Sequence, residues 1–101
     1  MKKSTYKLTA HVWLYPGAMS AWHFVSISKA DSAKIKADFS AVTKGWGSLP
    51  VNVTIGKTAW KTSIFPDKKS ATYILPIKAD VRKREGIFDK DKISFNLHIL
   101  D

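Results

Sequence analysis

From Tyr6 to Leu14 the chain alternates, with Tyr6, Leu8, Ala10, Val12 and Leu14 interleaved with Lys7, Thr9, His11 and Trp13. A period of two is that of a strand with one face buried. Pro16-Gly17 predicts a turn, and Ala21 to Ile27, rich in aromatic and β-branched residues, predicts the returning strand. The period then changes. Ile35, Phe39 and Val42 fall at i, i+4 and i+7, the stripe of an amphipathic helix that Asp31 would cap and Gly45 would end. Alternation resumes in Val51, Val53 and Ile55, a third strand.

The same order follows once more. Thr58 to Phe65 predicts a strand, Pro66-Asp67-Lys68-Lys69 a turn, and Ala71 to Ile77 a return strand. Asp80 is placed to cap a short helix with Val81 turned inward and Gly86 at its end. Ile93, Phe95, Leu97 and Ile99 alternate in a closing strand.

Displacing the chain on itself by 50 positions explains the recurrence. Leu14 meets Ile64, Pro16 meets Pro66, Ser20 meets Ser70, Val25 meets Leu75 and Ile27 meets Ile77; a one-residue slip then aligns Lys29-Ala30-Asp31 with Lys78-Ala79-Asp80. Two copies of a ββαβ unit, about residues 5–55 and 57–100, are expected within one domain spanning 1–101. One unit alone leaves strand edges exposed, so the two are expected to interlock into a six-stranded, mainly β barrel with two short helices about a pseudo-twofold axis.

Three segments carry a family resemblance: Ala21-Trp-His-Phe-Val-Ser-Ile, Trp60-Lys-Thr-Ser-Ile-Phe-Pro, and Leu75-Pro-Ile-Lys-Ala-Asp-Val-Arg-Lys. Together with Val51-Asn-Val-Thr-Ile-Gly they resemble the DUF1905 family, a domain of unknown function, over nearly the whole chain. The resemblance implies a double-split β-barrel, a fold class also used by AbrB- and MazE-like transcription regulators and antitoxins, where two chains commonly supply the halves. A function does not travel with a fold. In the family a Gly-Asp turn commonly precedes the closing strand, whereas this chain has Asp89-Lys90-Asp91.

Composition narrows the chemistry. The 101 residues include no cysteine, which excludes disulfides, thiolate catalysis and cysteine-ligated zinc. One Glu and seven Asp leave little material for paired-carboxylate catalysis. His11, His23 and His98 have no metal-ligand spacing, and Ser63 lacks the G-x-S-x-G elbow of a nucleophile. No phosphate-binding glycine loop is present. No metal or other cofactor is expected. The basic Met1-Lys-Lys start is not followed by the apolar run of a signal peptide, and nothing approaches a membrane span, so a cytoplasmic monomer without membrane attachment is expected.

The formal charge of +9, from 17 basic and 8 acidic residues, favours anionic partners. Charge is densest between Lys57 and Arg84, where eight basic residues face two acids. Lys61, Lys78, Arg82 and Lys83 are the candidate anion-binding residues, with Arg82 and Lys83 expected to face solvent, and Trp22 and Trp60 are candidate aromatic contacts. The bland reading is a solvated helix face and ordinary aromatic packing. Two functional readings stand beside it: a non-enzymatic domain for an anionic partner, either nucleic acid or a phosphate-bearing ligand, and a small-molecule site, with or without enzymatic activity, in a cleft between barrel halves. A protein-interaction or stress-protection module is a third, without residues to mark it.

Overall fold

Six strands close on themselves. In the computed structural model, which describes residues 4–15, 22–42 and 47–100, the elements run β1 (Thr5–Leu14), β2 (His23–Ser26), α1 (Lys29–Phe39), β3 (Leu49–Ile55), β4 (Thr58–Asp67), β5 (Thr72–Pro76), α2 (Ala79–Glu85) and β6 (Lys92–Ile99). A 3-10 turn, Ser40–Val42, extends α1. Every strand pairing is antiparallel, and the order around the closed barrel is β1-β2-β5-β4-β3-β6. Exchanging the first three strands for the last three leaves that ring unchanged.

The length of β1 and β4 follows from the ring. Each pairs with one neighbour along its first part and another along its last: β1 with β6 from Thr5 to His11 and with β2 from Val12, β4 with β3 from Thr58 to Ile64 and with β5 from Phe65. Strands that pass from one sheet to the other make the corners through which a small barrel closes.

The seam between β2 and β5 carries the pseudo-symmetry. Val25 stands opposite Leu75, the residue 50 positions along, and both are fully buried. Around them the Ile27 N–H donates to the Tyr73 carbonyl and the Ile77 N–H to the His23 carbonyl, each at 2.8 Å, a reciprocal pair under the same displacement. The correspondence continues into the helices without a slip. Ser32 N–H donates to the Ser28 carbonyl and Arg82 N–H to the Lys78 carbonyl, so Ser28 and Lys78 are equivalent helix starts. The Lys-Ala-Asp identity that suggests a one-residue slip therefore does not mark equivalent positions.

Alternation places the core. Val51, Val53 and Ile55 of β3, Ile93, Phe95, Leu97 and Ile99 of β6, and Ile64 of β4 are buried in one cluster with Val25 and Leu75. Ile35 and Phe39 of α1 and Val81 of α2 close it from outside the sheet. The first strand keeps its period only while it has a barrel beside it. Tyr6 and Val12 are buried, but Leu14, at the last pair before the chain leaves the barrel, is 39% exposed.

Both helix starts differ from expectation. Ser28, not Asp31, caps α1: its Oγ accepts from the Asp31 N–H and donates to Asp31 Oδ2, each at 3.1 Å, while Asp31 occupies the first turn where the helix dipole favours an acid. The cap of α2 is Lys78, whose side chain makes no capping bond, and Asp80 lies in the first turn, 3.4 Å from Arg84. Gly86 ends α2 as expected, at φ 64°. The second-copy turn also moves, because β4 continues through Pro66 and Asp67 and the chain reverses over residues 68–71. Asp67 holds that reversal, accepting from the Lys69 N–H and the Ser70 hydroxyl. The predicted Pro16-Gly17 turn and the Gly45 stop lie outside the described residues, as does Trp46.

One buried hydroxyl ties a helix to the seam. Ser32 Oγ donates to the Ile27 carbonyl at 3.1 Å and accepts from the Tyr73 N–H at 2.9 Å, joining α1, the end of β2 and the start of β5. Ser32→Ala leaves two buried backbone groups without this partner and should lower stability by roughly 1–3 kcal/mol, whereas Ser94→Ala on the exposed face of β6 should cost about 0.5 kcal/mol or less. Urea midpoints of the two variants check this, and equal midpoints would sink it.

Candidate functional site: a basic cleft between β4 and the start of α2

Below Pro76 the chain leaves β4. The pairing of β4 with β5 runs from Phe65↔Ile74 to Asp67↔Thr72, so residues 60–62 of β4 and residues 76–79 diverge without bridging, although Ile77 stays bonded to β2 through His23. The gap is a cleft of about 390 Å³. Its walls carry Trp22 and His23 from the start of β2, Trp60 and Lys61 from β4, and Lys78 and Arg82 from the start of α2.

Five of the six residues singled out in the sequence therefore meet at one place. Lys61, Lys78, Arg82, Trp22 and Trp60 all line the cleft; Lys83, exposed on α2, does not. Parity explains the difference. Val81 points into the core, which turns Arg82 along the helix flank toward β4 and leaves Lys83 in solvent. Arg82 is half-buried rather than solvent-facing as expected. Its Nε donates to the Ile77 carbonyl at 3.1 Å, which fixes the guanidinium plane at the cleft wall.

The aromatic wall is ordered. Trp22 stacks on Phe24, ring centroids 6.0 Å apart and planes 16° from parallel, and Phe24 stacks on Trp13 at 5.1 Å and 28°. Such offset stacks contribute beyond their buried area, roughly 0.5–1.5 kcal/mol per pair. Trp13 is anchored in turn by its Nε1–H, which donates to Ser26 Oγ at 3.0 Å. Trp22 ends the row at the cleft with 56% of its surface exposed. Trp60 is buried and forms the cleft's inner wall, so it packs and lines the site at once.

Among the described residues no acid lines the cleft. The nearby acids are engaged elsewhere, Asp80 with Arg84 and Glu85 with the Thr58 hydroxyl at 2.6 Å. Lys61 and Lys78 make no ion pair among the described residues, so three cations converge on a partly apolar recess whose walls carry no carboxylate.

The pseudo-symmetry supplies an internal comparison. A second cleft, about 560 Å³, lies between α1 and the start of β5 and uses three equivalent positions: Thr72 for Trp22, Tyr73 for His23 and Ser32 for Arg82. There Ser32 closes the junction by its two hydrogen bonds, Thr72 bonds to Ser70, and Asp67 stands among Lys36 and Lys68. Burial raises the Tyr73 phenol above its usual pKa, and burial followed by Asp38 and Asp31 does the same for Tyr6. One scaffold thus carries a mixed-charge cleft and a cationic one.

The remaining sequence candidates are structural. Asp91 Oδ2 accepts from the Phe88 N–H at 2.8 Å, so the Asp89-Lys90-Asp91 segment is a turn, and Lys90 takes a left-handed φ of 73° within it. His98 Nδ1 lies 2.8 Å from the Thr5 hydroxyl across the β1–β6 pairing. Among the described residues no three metal-ligating side chains converge, and no helix is long and apolar enough to cross a membrane. The sequence does not single out His23, which reads there as an isolated strand histidine. Its shared parity with Val25, and its equivalence to Tyr73, are the signals that place it at the barrel mouth.

The sequence profile of a family described as a domain of unknown function, DUF1905, matches residues 9–97. The chain belongs to the DUF1905 family. Among curated proteins, nothing matches it. The matched span of this DUF1905 chain runs from β1 into β6 and so includes every wall of the cleft.

Proposed function

We propose that this DUF1905 domain is a binding domain for a small phosphate-bearing ligand, held in the cleft between β4 and α2. The observation that carries the reading is the convergence of Lys61, Lys78 and Arg82 on one recess with no acid among its described walls. An arginine fork with two mobile ammonium groups suits a dianionic phosphate better than a single carboxylate, which one cation satisfies. The cleft volume of about 390 Å³ lies within the roughly 300–1,000 Å³ of small-ligand sites. A concave recess favours a small ligand over an extended nucleic-acid duplex, which needs a long charged surface.

Titration with pyrophosphate at low salt, followed by amide and Arg Nε–H chemical shifts, tests it. Resonances of Ile77, Lys78, Ala79 and Arg82 should move in a saturable manner. Absence of movement there, or equal movement at Lys83 and over the whole surface, would remove the proposal. Lys61→Gln and Lys78→Gln should each weaken pyrophosphate binding by about five-fold or more, as removal of one charge-assisted hydrogen bond does, while Lys83→Gln should change it by less than about two-fold.

A further inference from the structure

The cleft has a second wall that phosphate recognition does not use. Trp13, Phe24 and Trp22 form a row of nearly parallel rings, and Phe24 is sandwiched between the other two. Only at the Trp22 end does the row meet the cleft, where that indole is largely exposed. Tyr15, tilted 58° to Phe24, does not continue the stack. A large exposed indole held by a stacked row behind it, beside three cations, presents a flat π-face at a fixed position.

Resting on the phosphate-site reading, we infer that the ligand is a free mononucleotide, its base laid on Trp22 as the next ring of the row and its phosphate held by Lys61, Lys78 and Arg82. Two features support a nucleotide over a bare phosphate or phosphosugar. The recess wall is apolar and aromatic at Trp22 and Trp60, which a phosphate alone leaves unused. Trp22, just before β2, and the cations of β4 and the start of α2 line the same recess, with Lys78 following the Ile77 that bonds to His23, so a molecule that uses both must carry a flat ring and an anion. The row leaves one position for a ring at the cleft, which argues for a single base and against a strand with several.

The equivalent cleft gives the contrast. Its position for Trp22 is Thr72 and its position for Arg82 is Ser32, so it has neither the platform nor the fork. One nucleotide per chain is expected.

Calorimetry and tryptophan fluorescence with AMP, adenosine, ribose 5-phosphate and an oligoadenylate of about eight residues test the inference on the full chain. AMP should quench tryptophan emission and bind about ten-fold or more tighter than ribose 5-phosphate, the range expected for one stacked base, and about ten-fold or more tighter than adenosine, which lacks the phosphate that the cations hold. Trp22→Ala should reduce the preference for AMP over ribose 5-phosphate to about two-fold or less, and Trp22→Phe should restore much of it. Because Trp22 is exposed, its loss does not threaten the fold, and Trp60 stays intact. Ribose 5-phosphate binding as tightly as AMP would overturn the inference while leaving the phosphate site standing. An oligoadenylate binding more than about ten-fold tighter per nucleotide would overturn it in favour of a single strand. Failure of every phosphate compound, pyrophosphate included, would bring down the parent reading as well.

Discussion

Leu75→Ala is expected to remove about 2–5 kcal/mol of stability, a large share of the roughly 5–15 kcal/mol that holds a domain of this size together. Leu75 is fully buried, stands opposite Val25 across the β2–β5 seam, and has no polar atom whose rearrangement could soften the loss. The seam is short. Its pairings run only from Phe24↔Pro76 to Ser26↔Ile74, so few backbone bonds hold the two halves together there. Packing across Val25 and Leu75 must supply what the ladder does not. A cavity at that point cannot be closed by sliding either strand, because Ile27 and Ile77 fix the register through their bonds to Tyr73 and His23. Chemical denaturation followed by far-UV circular dichroism measures the loss. Leu14→Ala, at the exposed end of β1, should cost about 1 kcal/mol or less and serves as the reference. Val25→Ala combined with Leu75→Ala should cost less than the sum of the two, since one cavity is shared. Full additivity would mean that the two side chains share no packing contact across this seam.

That seam is also where the sequence is most informative. Displacement by 50 positions pairs Val25 with Leu75, the two residues that face each other, because a strand crossing its own equivalent at a twofold axis must meet it at equivalent positions. Alternation likewise marks the long strands, since a barrel buries one face of each. What alternation does not carry is the position of an end. Asp31 and Asp80 look like caps because both are short acids before an apolar stripe, yet the helices begin where β2 and β5 run out, at Ser28 and Lys78. The turn after β4 shifts for a related reason: Pro66 resembles a strand terminator, but it sits near the end of its ladder, where a missing N–H costs little. The site is legible as a set of residue types and illegible as a place. Lys61, Lys78 and Arg82 group together in the sequence because they share the basic second half, whereas the cleft is completed by Trp22 and His23 from the first half, brought across the axis. Lys83 joins that group because charge runs along α2, and charge density along the chain does not separate the flank that meets β4 from the one in water.

Arg82 should prove the least replaceable residue of the cleft. Arg82→Lys keeps the charge but gives up both the planar fork and the Nε bond to the Ile77 carbonyl, so pyrophosphate affinity should fall by about ten-fold, close to the effect of removing one charged hydrogen bond of roughly 1.5–3 kcal/mol. Arg82→Met, which also removes the charge, should lower it by about a hundred-fold, the effect of removing two such hydrogen bonds. Stability responds on a different scale. The Ile77 carbonyl loses its Nε partner in both variants, for about 1 kcal/mol, so the two should unfold at nearly the same denaturant midpoint while differing in affinity. Salt separates the contributions further. A purely coulombic site weakens in step with ionic strength, because the screening length shortens from about 10 Å at 0.1 M to about 3 Å at 1 M. A site in which the guanidinium is held by Ile77 and donates in a fixed plane keeps its hydrogen-bonded share, so wild-type affinity should fall less steeply with salt than that of Arg82→Lys. Parallel salt curves for the two proteins would show that Arg82 acts as a charge alone, and the oriented fork, with the reason for preferring phosphate, would be lost.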